Sequence, residues 1–132
     1  MGAVSAATDA RPHVLVVEDD ANAAGALRVL FEETGHRVTV AHSVSAAVGA
    51  AAADTPDLVL LDLTLPDGDG LDVLRQLRER GARVGTVVAL TGHEGPAIVA
   101  QCRAAGCAEV LTKPVPIREI LKRLPGWLEA KG

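Results

Sequence analysis

DLVLLDLTLPDG, residues 57–68, is the stretch of sequence that decides the fold. Leu58 to Leu61 form a continuous apolar run without polar alternation, which is typical of a strand buried on both faces of a parallel sheet. Asp62 follows where this strand meets a loop, and Pro66 and Gly68 prevent a helix or strand from continuing there. In open α/β sheets, ligands bind at the rim where the strands end. Taken alone, Asp62 could equally be a turn residue, so its interpretation depends on the rest of the chain.

Four more strands are predicted along the chain, two before and two after this stretch, and the segments between them have helical spacing. A last helix is expected to begin near Ile117 and to stop at Pro125-Gly126, with Trp127 and Leu128 in a separate turn packed on the core. Five alternations of strand and helix predict an α/β fold, in which a parallel sheet carries helices on both faces. The other predicted strands cover residues 13–17, 37–41, 84–90 and 109–111, and the other predicted helices cover residues 21–34, 44–53, 70–80 and 96–105.

Length and composition indicate one ordinary globular domain. The chain has 132 residues, of which 48% are hydrophobic, so a sizeable core can be buried. We expect this domain over residues 12–130, preceded by a disordered tail over residues 1–11, which are small and polar and show no periodicity.

Charge, apolar runs and cysteines narrow the functional class. The net charge of −4 argues against direct nucleic-acid binding, and no apolar run approaches the roughly 20 residues that a membrane span needs. The N-terminus shows no secretory signal. Cys102 and Cys107 lack the CxxC spacing of a metal or redox site and are predicted to be reduced, partly buried thiols. Together these features predict a cytoplasmic protein.

Polar and charged residues stand at four of the five predicted strand ends: Glu18-Asp19-Asp20, Asp62, Thr91 and Lys113. The remaining strand end, His42-Ser43, offers only a helix cap. Because clustered carboxylates repel one another, they require a counter-charge, and oxygen ligands suit Mg²⁺. Lys113 supplies a point charge for an anion and Thr91 a hydroxyl donor. If the strand ends converge, these groups predict a phosphoryl-transfer site with Asp62 as the nucleophile.

Four segments in this order resemble the receiver domain of bacterial two-component response regulators. The resemblance extends over roughly residues 12–124 and rests on Val14–Asp20, Asp57–Gly70, Ala89–Gly92 and Leu111–Pro114. It implies a single-domain, flavodoxin-like (βα)5 fold, a doubly wound parallel sheet with strand order 2-1-3-4-5. That order would bring the four polar strand ends together.

The resemblance also implies roles for individual residues. Asp62 would accept a phosphoryl group from a phosphohistidine on a sensor histidine kinase or a histidine phosphotransfer protein. Asp19 would bind Mg²⁺ directly and Glu18 through water, with the backbone carbonyl of Thr64 completing the metal site. Lys113 would pair with the phosphoryl oxygens, and the Lys113–Pro114 peptide bond would be cis.

Switching is where the chain departs from the family. The resemblance implies that Thr91 bonds a phosphoryl oxygen and so reshapes the face formed by the fourth helix, fifth strand and fifth helix. The family often has an aromatic switch residue three positions before the lysine, and here that position is Val110. Either the loop after the fourth strand switches alone, or the response is weak.

Competing functions remain open at the level of sequence. The first is a phosphorylation-activated switch, standing alone because nothing after Leu128 could form an output domain, or else excised from a longer regulator or hybrid kinase. The second is a phosphatase of the haloacid dehalogenase type. That class has an Asp-x-Asp motif at the nucleophile, and here Leu63 and Thr64 follow Asp62, so the general acid is missing. The third is a receiver-like module that binds its partner without phosphorylation. The downstream protein is unspecified, and we expect a monomer or a weak homodimer, without turnover of a substrate.

Overall fold

The computed structural model describes residues 10–93 and 95–129, in which the five strands of the main sheet alternate with five helices. All five strands are parallel and are arranged in the order 2-1-3-4-5, which confirms the predicted flavodoxin-like α/β fold. The strands are β1 (His13–Val17), β2 (Arg37–Ala41), β3 (Leu58–Asp62), β4 (Thr86–Thr91) and β5 (Glu109–Thr112), and the helices are α1 (Ala21–Glu33), α2 (Val44–Ala53), α3 (Leu71–Glu79), α4 (Pro96–Ala104) and α5 (Ile117–Glu129).

The sheet has a separate hydrophobic core on each face. Successive side chains of a strand point to opposite faces, so the continuous apolar runs supply both cores at once. Leu15 and Val17 of β1 pack with α2, α3 and α4. Val14 and Val16 pack on the other face with α1 and α5, where Phe31 and Trp127 are the buried aromatic residues. This layering confirms that β1 and β3 are covered on both sides.

The register of the strands brings their C-terminal ends to one rim. Val17 lies opposite Leu61, which lies opposite Ala89 on β4. Thr91 in turn lies opposite Thr112, the last residue of β5. The residues that immediately follow β1 and β5 therefore lie near Asp62, at the end of β3.

The last helix differs from the prediction, because α5 continues through Pro125 instead of stopping at it. Proline removes one helical hydrogen bond and typically costs about 3 kcal/mol inside a helix. Two contacts of Trp127 offset this cost: its indole N–H donates to the Glu109 carboxylate, and its carbonyl accepts from the Thr86 hydroxyl at 2.7 Å. Trp127 is buried, as predicted, but it lies within the helix.

Residues 1–9 of the predicted tail lie outside the described residues, and the domain bounds 12–130 stay a prediction. Among the described residues, no helix combines the length and apolar character needed to cross a membrane. Cys102 and Cys107 are buried free thiols, and burial raises the pKa of Cys107 to about 12.

The loop after β3 is more regular than predicted. Thr64–Leu65 and Gly68–Asp69 form a two-residue antiparallel ladder that turns at Pro66-Asp67. Gly70 closes this hairpin: its N–H donates to the Leu63 carbonyl at 2.9 Å, and a Cβ added at Gly70 would lie 2.1 Å from the Asp62 carbonyl oxygen. Only glycine allows the backbone to return this closely to Asp62.

We predict that Gly70→Ala destabilises the fold by roughly 1–3 kcal/mol, the usual range for forcing extra atoms into packed space. Gly49→Ala is the matched control, because Gly49 lies within α2 with nothing near its added Cβ, and alanine there should gain up to about 1 kcal/mol in helix propensity. Urea unfolding measures both free energies. Equal stability of the two variants would contradict this account of the hairpin.

Candidate functional site

Three carboxylates meet at the ends of β1 and β3. Glu18 and Asp19 directly follow β1, and Asp62 ends β3; one carboxylate oxygen from each lies within 4.8 Å of the others. Glu18 and Asp62 are buried, at 3% and 5% exposure, whereas Asp19 is exposed. Three oxygen donors at this spacing form a donor set that fits Mg²⁺, a hard cation that prefers carboxylates and retained waters.

Lys113 brings the positive charge to this cluster. It follows β5, and its Nζ donates to Glu18 Oε1 at 2.8 Å and to Asp62 Oδ2 at 3.0 Å. The Lys113–Pro114 peptide bond is cis, as the resemblance implied. Four of the predicted site residues, from three different strand ends, therefore lie in direct contact or within a few ångströms of one another.

The carboxylates and the ammonium change one another's pKa. Burial raises the pKa of Glu18, and the neighbouring charge of Asp62 raises it further, although the Lys113 hydrogen bond opposes both effects. Burial by itself would lower the pKa of Lys113, but the hydrogen bonds and charges of Glu18 and Asp62 outweigh it and raise that pKa. Lys113 is thus held as a cation, and its contribution to stability is present below its unfolded pKa of about 10.4 and lost as the pH rises through the folded value.

The predicted loop residue Thr64 lies beside Asp62. Its backbone N–H donates to Asp62 Oδ1 at 3.0 Å, so each oxygen of the Asp62 carboxylate has a different partner. Thr64 also lines a cavity of about 740 Å³ that opens onto Asp62. The lining of this cavity combines the acid cluster and Lys113 with apolar residues that include Ala23, Ala26, Leu27, Val115, Ile117 and Ile120.

The two predicted switch residues do not line this cavity. Thr91 is 3% exposed, and its hydroxyl oxygen accepts a hydrogen bond from the His93 N–H at 3.0 Å. Val110 lies on β5 opposite Ala89 and packs, half-buried, against the core on the α2–α3–α4 face. The structure thus places both residues outside the acid cluster.

Sequence reasoning missed or misassigned three residues that support the site. Asp20 is the N-cap of α1, where its carboxylate accepts from the Asn22 N–H at 3.0 Å, and its own N–H donates to Glu18 Oε2. His42 was predicted only to lie before a helix cap, but its Nδ1 donates to the Glu18 carbonyl at 2.8 Å. Asp67, in the hairpin turn, accepts hydrogen bonds from α2. Only Asp20 leaves a local signal, an acidic residue before a helix.

A comparison with known families decides the classification. The family model of the response regulator receiver domain matches residues 14–125. The chain belongs to this family. Receiver domains are phosphorylation-activated switches of two-component signalling rather than turnover enzymes. The predicted family and the predicted function as such a switch are therefore confirmed.

Curated relatives and a solved structure agree with this assignment. The chain is 38% identical over 112 residues to the KDP operon transcriptional regulatory protein KdpE of Escherichia coli, covering 85% of this chain and 49% of that protein. It is 35% identical to the uncharacterized transcriptional regulatory protein YkoG of Bacillus subtilis, covering 91% and 52%. The non-phosphorylated HemR receiver domain of Leptospira biflexa superposes with a TM-score of 0.81 at 31% identity, covering 89% of this chain and 94% of that one. The chain spans about half the length of these curated relatives.

We predict that Asp19→Asn stabilises the protein in the absence of divalent cations by about 0.5 kcal/mol, because it removes one like charge from the cluster. In Mg²⁺ the wild type should become the more stable of the two, since Mg²⁺ at ten times its Kd for the wild type would stabilise it by about 1.4 kcal/mol. Thermal unfolding in EDTA and in Mg²⁺ measures both effects. Glu32→Gln, which removes an exposed carboxylate of α1 outside the cluster, is the control and should show neither effect. A variant Asp19→Asn that responds to Mg²⁺ like the wild type would contradict the assignment of Asp19.

Proposed function

We propose that Asp62 is the phosphoacceptor of this receiver domain. The observation that carries the proposal is the contact of the Lys113 ammonium with both Glu18 and Asp62, inside a cluster that gathers three carboxylates. The ammonium of the half-buried Lys113 can neutralise an anionic phosphoryl group as it arrives at Asp62. A Lys side chain is well suited to this role as a compact point charge on a flexible stem.

The proposed reaction is a transfer between two protein side chains. An oxygen of the Asp62 carboxylate attacks the phosphorus of a phosphohistidine, forming an acyl phosphate. The phosphorus–nitrogen bond breaks, and the departing imidazole takes up a proton. The Thr64 N–H remains bonded to one oxygen of the carboxylate and so keeps the acceptor oriented. Water later cleaves the acyl phosphate and restores Asp62.

Glu18, Asp19, Asp62 and the Thr64 backbone carbonyl are the residues that would hold Mg²⁺. When bound, the ion would offset the negative charge that phosphorylation adds to an acidic pocket. The chain's own contribution is to hold the carboxylates together in advance: Glu18 is fixed by Lys113 and by the Asp20 N–H, and Asp62 by Lys113 and Thr64. Asp19 is the exposed member of the set and is free to adapt to the ion's geometry.

Switching is proposed to begin at Thr91. Its hydroxyl oxygen accepts from the His93 N–H, and its backbone carbonyl accepts from the Lys113 N–H at 2.7 Å, so Thr91 connects the β4–α4 loop to the lysine. A hydroxyl that turns to donate to a phosphoryl oxygen would lose the His93 contact and release that loop. Because Val110 has no polar group to follow this movement, we infer that the loop carries most of the response to the α4–β5–α5 face.

The partners follow from the family and remain proposals. A sensor histidine kinase or a histidine phosphotransfer protein would donate the phosphoryl group, and a protein of unspecified identity would read the α4–β5–α5 face. We propose a cytoplasmic monomer or weak homodimer without direct contact to nucleic acid. Because the relatives named as transcriptional regulatory proteins are about twice as long, a receiver domain within a longer regulator is the alternative setting.

A second candidate is binding without phosphorylation, and Val110 is the observation that favours it. An aliphatic residue at this position removes the side chain that often couples the phosphoryl group to the output face in the family. Partner binding that is unchanged by Asp62→Asn would support this candidate over the first.

We predict that acetyl phosphate with Mg²⁺ adds the mass of one phosphoryl group to the wild type and none to Asp62→Asn. Asp69→Asn is the matched control, because it also neutralises an aspartate of the same loop but lies outside the acid cluster, and it should still be modified. Intact-protein mass spectrometry gives the stoichiometry. An unmodified wild type would reject the proposed function, and continuous hydrolysis of a phosphomonoester would indicate a phosphatase instead.

A further inference from the structure

The hairpin after β3 is attached at its tip to the start of helix α2. The Asp67 carboxylate accepts hydrogen bonds from the Val44 N–H at 2.7 Å and from the Ser45 N–H at 3.1 Å. These are two of the first helical N–H groups, which have no partner within the helix. The next one, Ala46 N–H, donates to the Ser43 hydroxyl at 3.1 Å. Helix α2 is therefore capped twice, once by its own N-cap and once by a residue of the acceptor loop.

Asp67 makes these contacts as a carboxylate. The N–H groups of Val44 and Ser45 lower the pKa of Asp67, since both bonds favour its charged form. The positive end of the helix dipole lies at the same place and acts in the same direction. The attachment is therefore present at neutral pH and is lost only as the pH falls through the lowered pKa of Asp67.

The start of α2 is itself fixed to the loop that carries the acidic pair. His42 Nδ1 donates to the Glu18 carbonyl at 2.8 Å, and the Glu18 N–H donates to the Ala41 carbonyl at 3.0 Å. The junction between β2 and α2, residues 41–45, thus contacts the β1–α1 loop on one side and the tip of the β3–α3 hairpin on the other. The first of these loops supplies Glu18 and Asp19, and the hairpin follows directly after Asp62, the third carboxylate of the acid cluster.

We infer that Asp67 is a positioning residue for the phosphoryl site, which holds the acceptor loop at a fixed distance from Glu18 and Asp19 by binding the β2–α2 junction. The inference rests on the proposed function, because it assigns Asp67 a role in that same site. Asp67 touches none of the groups that would react.

The local geometry explains why one contact at the tip matters. The hairpin is held at its base, where Gly70 returns against Asp62 and the Thr64 N–H binds the Asp62 carboxylate. With the base fixed on β3 and the tip fixed on α2, the segment between them has little freedom. That segment includes the Thr64 carbonyl, the proposed backbone ligand of Mg²⁺. Releasing the tip leaves this carbonyl attached at one end only.

Three variants test the inference. Asp67→Ala removes the attachment, whereas Asp67→Asn keeps an amide oxygen that can accept from the same N–H groups. Ser43→Ala is the matched control, because it removes the other cap of α2 without touching the hairpin. The measurements are the Mg²⁺ affinity by calorimetry and the rate of phosphorylation by acetyl phosphate, at saturating and at limiting Mg²⁺.

We expect Asp67→Ala to weaken Mg²⁺ binding by about tenfold, the lower end of the range for residues that orient metal ligands. Its phosphorylation should slow at limiting Mg²⁺ and largely recover at saturating Mg²⁺. Asp67→Asn should recover most of the affinity, and Ser43→Ala should keep it within about twofold of the wild type while losing stability through its missing cap.

Two outcomes would overturn the positioning role in a wild type that is phosphorylated normally. One is an Asp67→Ala variant with unchanged Mg²⁺ affinity. The other is an equal loss of affinity in Ser43→Ala, which would make helix stability the cause. A wild type that takes up neither Mg²⁺ nor a phosphoryl group would instead overturn the proposed function, and the positioning role with it.

Discussion

The contact of one ammonium with two buried carboxylates is the interaction on which the rim of this molecule depends. Glu18 and Asp62 lie close together at the ends of adjacent strands, at 3% and 5% exposure, and would repel each other without Lys113. Because Lys113 follows β5, two strands away from β3, the neutralisation requires β1, β3, β4 and β5 to lie side by side in that order. The charged cluster is therefore a consequence of the strand order and cannot form locally.

The rim gathers three carboxylates, whose mutual repulsion opposes folding. Burial, with the neighbouring Asp62, raises the pKa of Glu18, whereas the contacts with Glu18 and Asp62 raise the pKa of Lys113 in spite of its burial. A bound divalent cation and a charged phosphoryl group would each change the net charge of this cluster. The two hydrophobic cores on either face supply the stability that such a site requires. Asp67 likewise supports the site from outside the cluster, since its bonds to the Val44 and Ser45 N–H groups hold the hairpin without adding charge to the cluster.

The strands and most residues of the site were predictable because each leaves a local pattern in the sequence, whereas the convergence of the strand ends was implied by the strand order of the family that the sequence resembles. Apolar runs marked β1 and β3, and the polar residues directly after them identified Glu18, Asp19 and Asp62. The contacts that sequence reasoning missed join distant segments and leave no local pattern. Asp67 caps a helix 23 residues away, and Thr86 binds Trp127 over 41 residues. The second contact helps α5 continue through Pro125, where proline chemistry alone predicted a break.

We propose that the strand ends of β1, β3 and β5 form one pocket for a metal ion and a phosphoryl group on Asp62. The most direct measurement is a crystal structure of the protein with Mg²⁺ and beryllofluoride, an analogue of the phosphoryl group. We predict the beryllium bonded to an Asp62 carboxylate oxygen, a fluorine in contact with Lys113, and the metal held by Asp19 and Asp62. A beryllofluoride group bound elsewhere, or a pocket that stays empty at saturating concentrations of both reagents, would contradict this account.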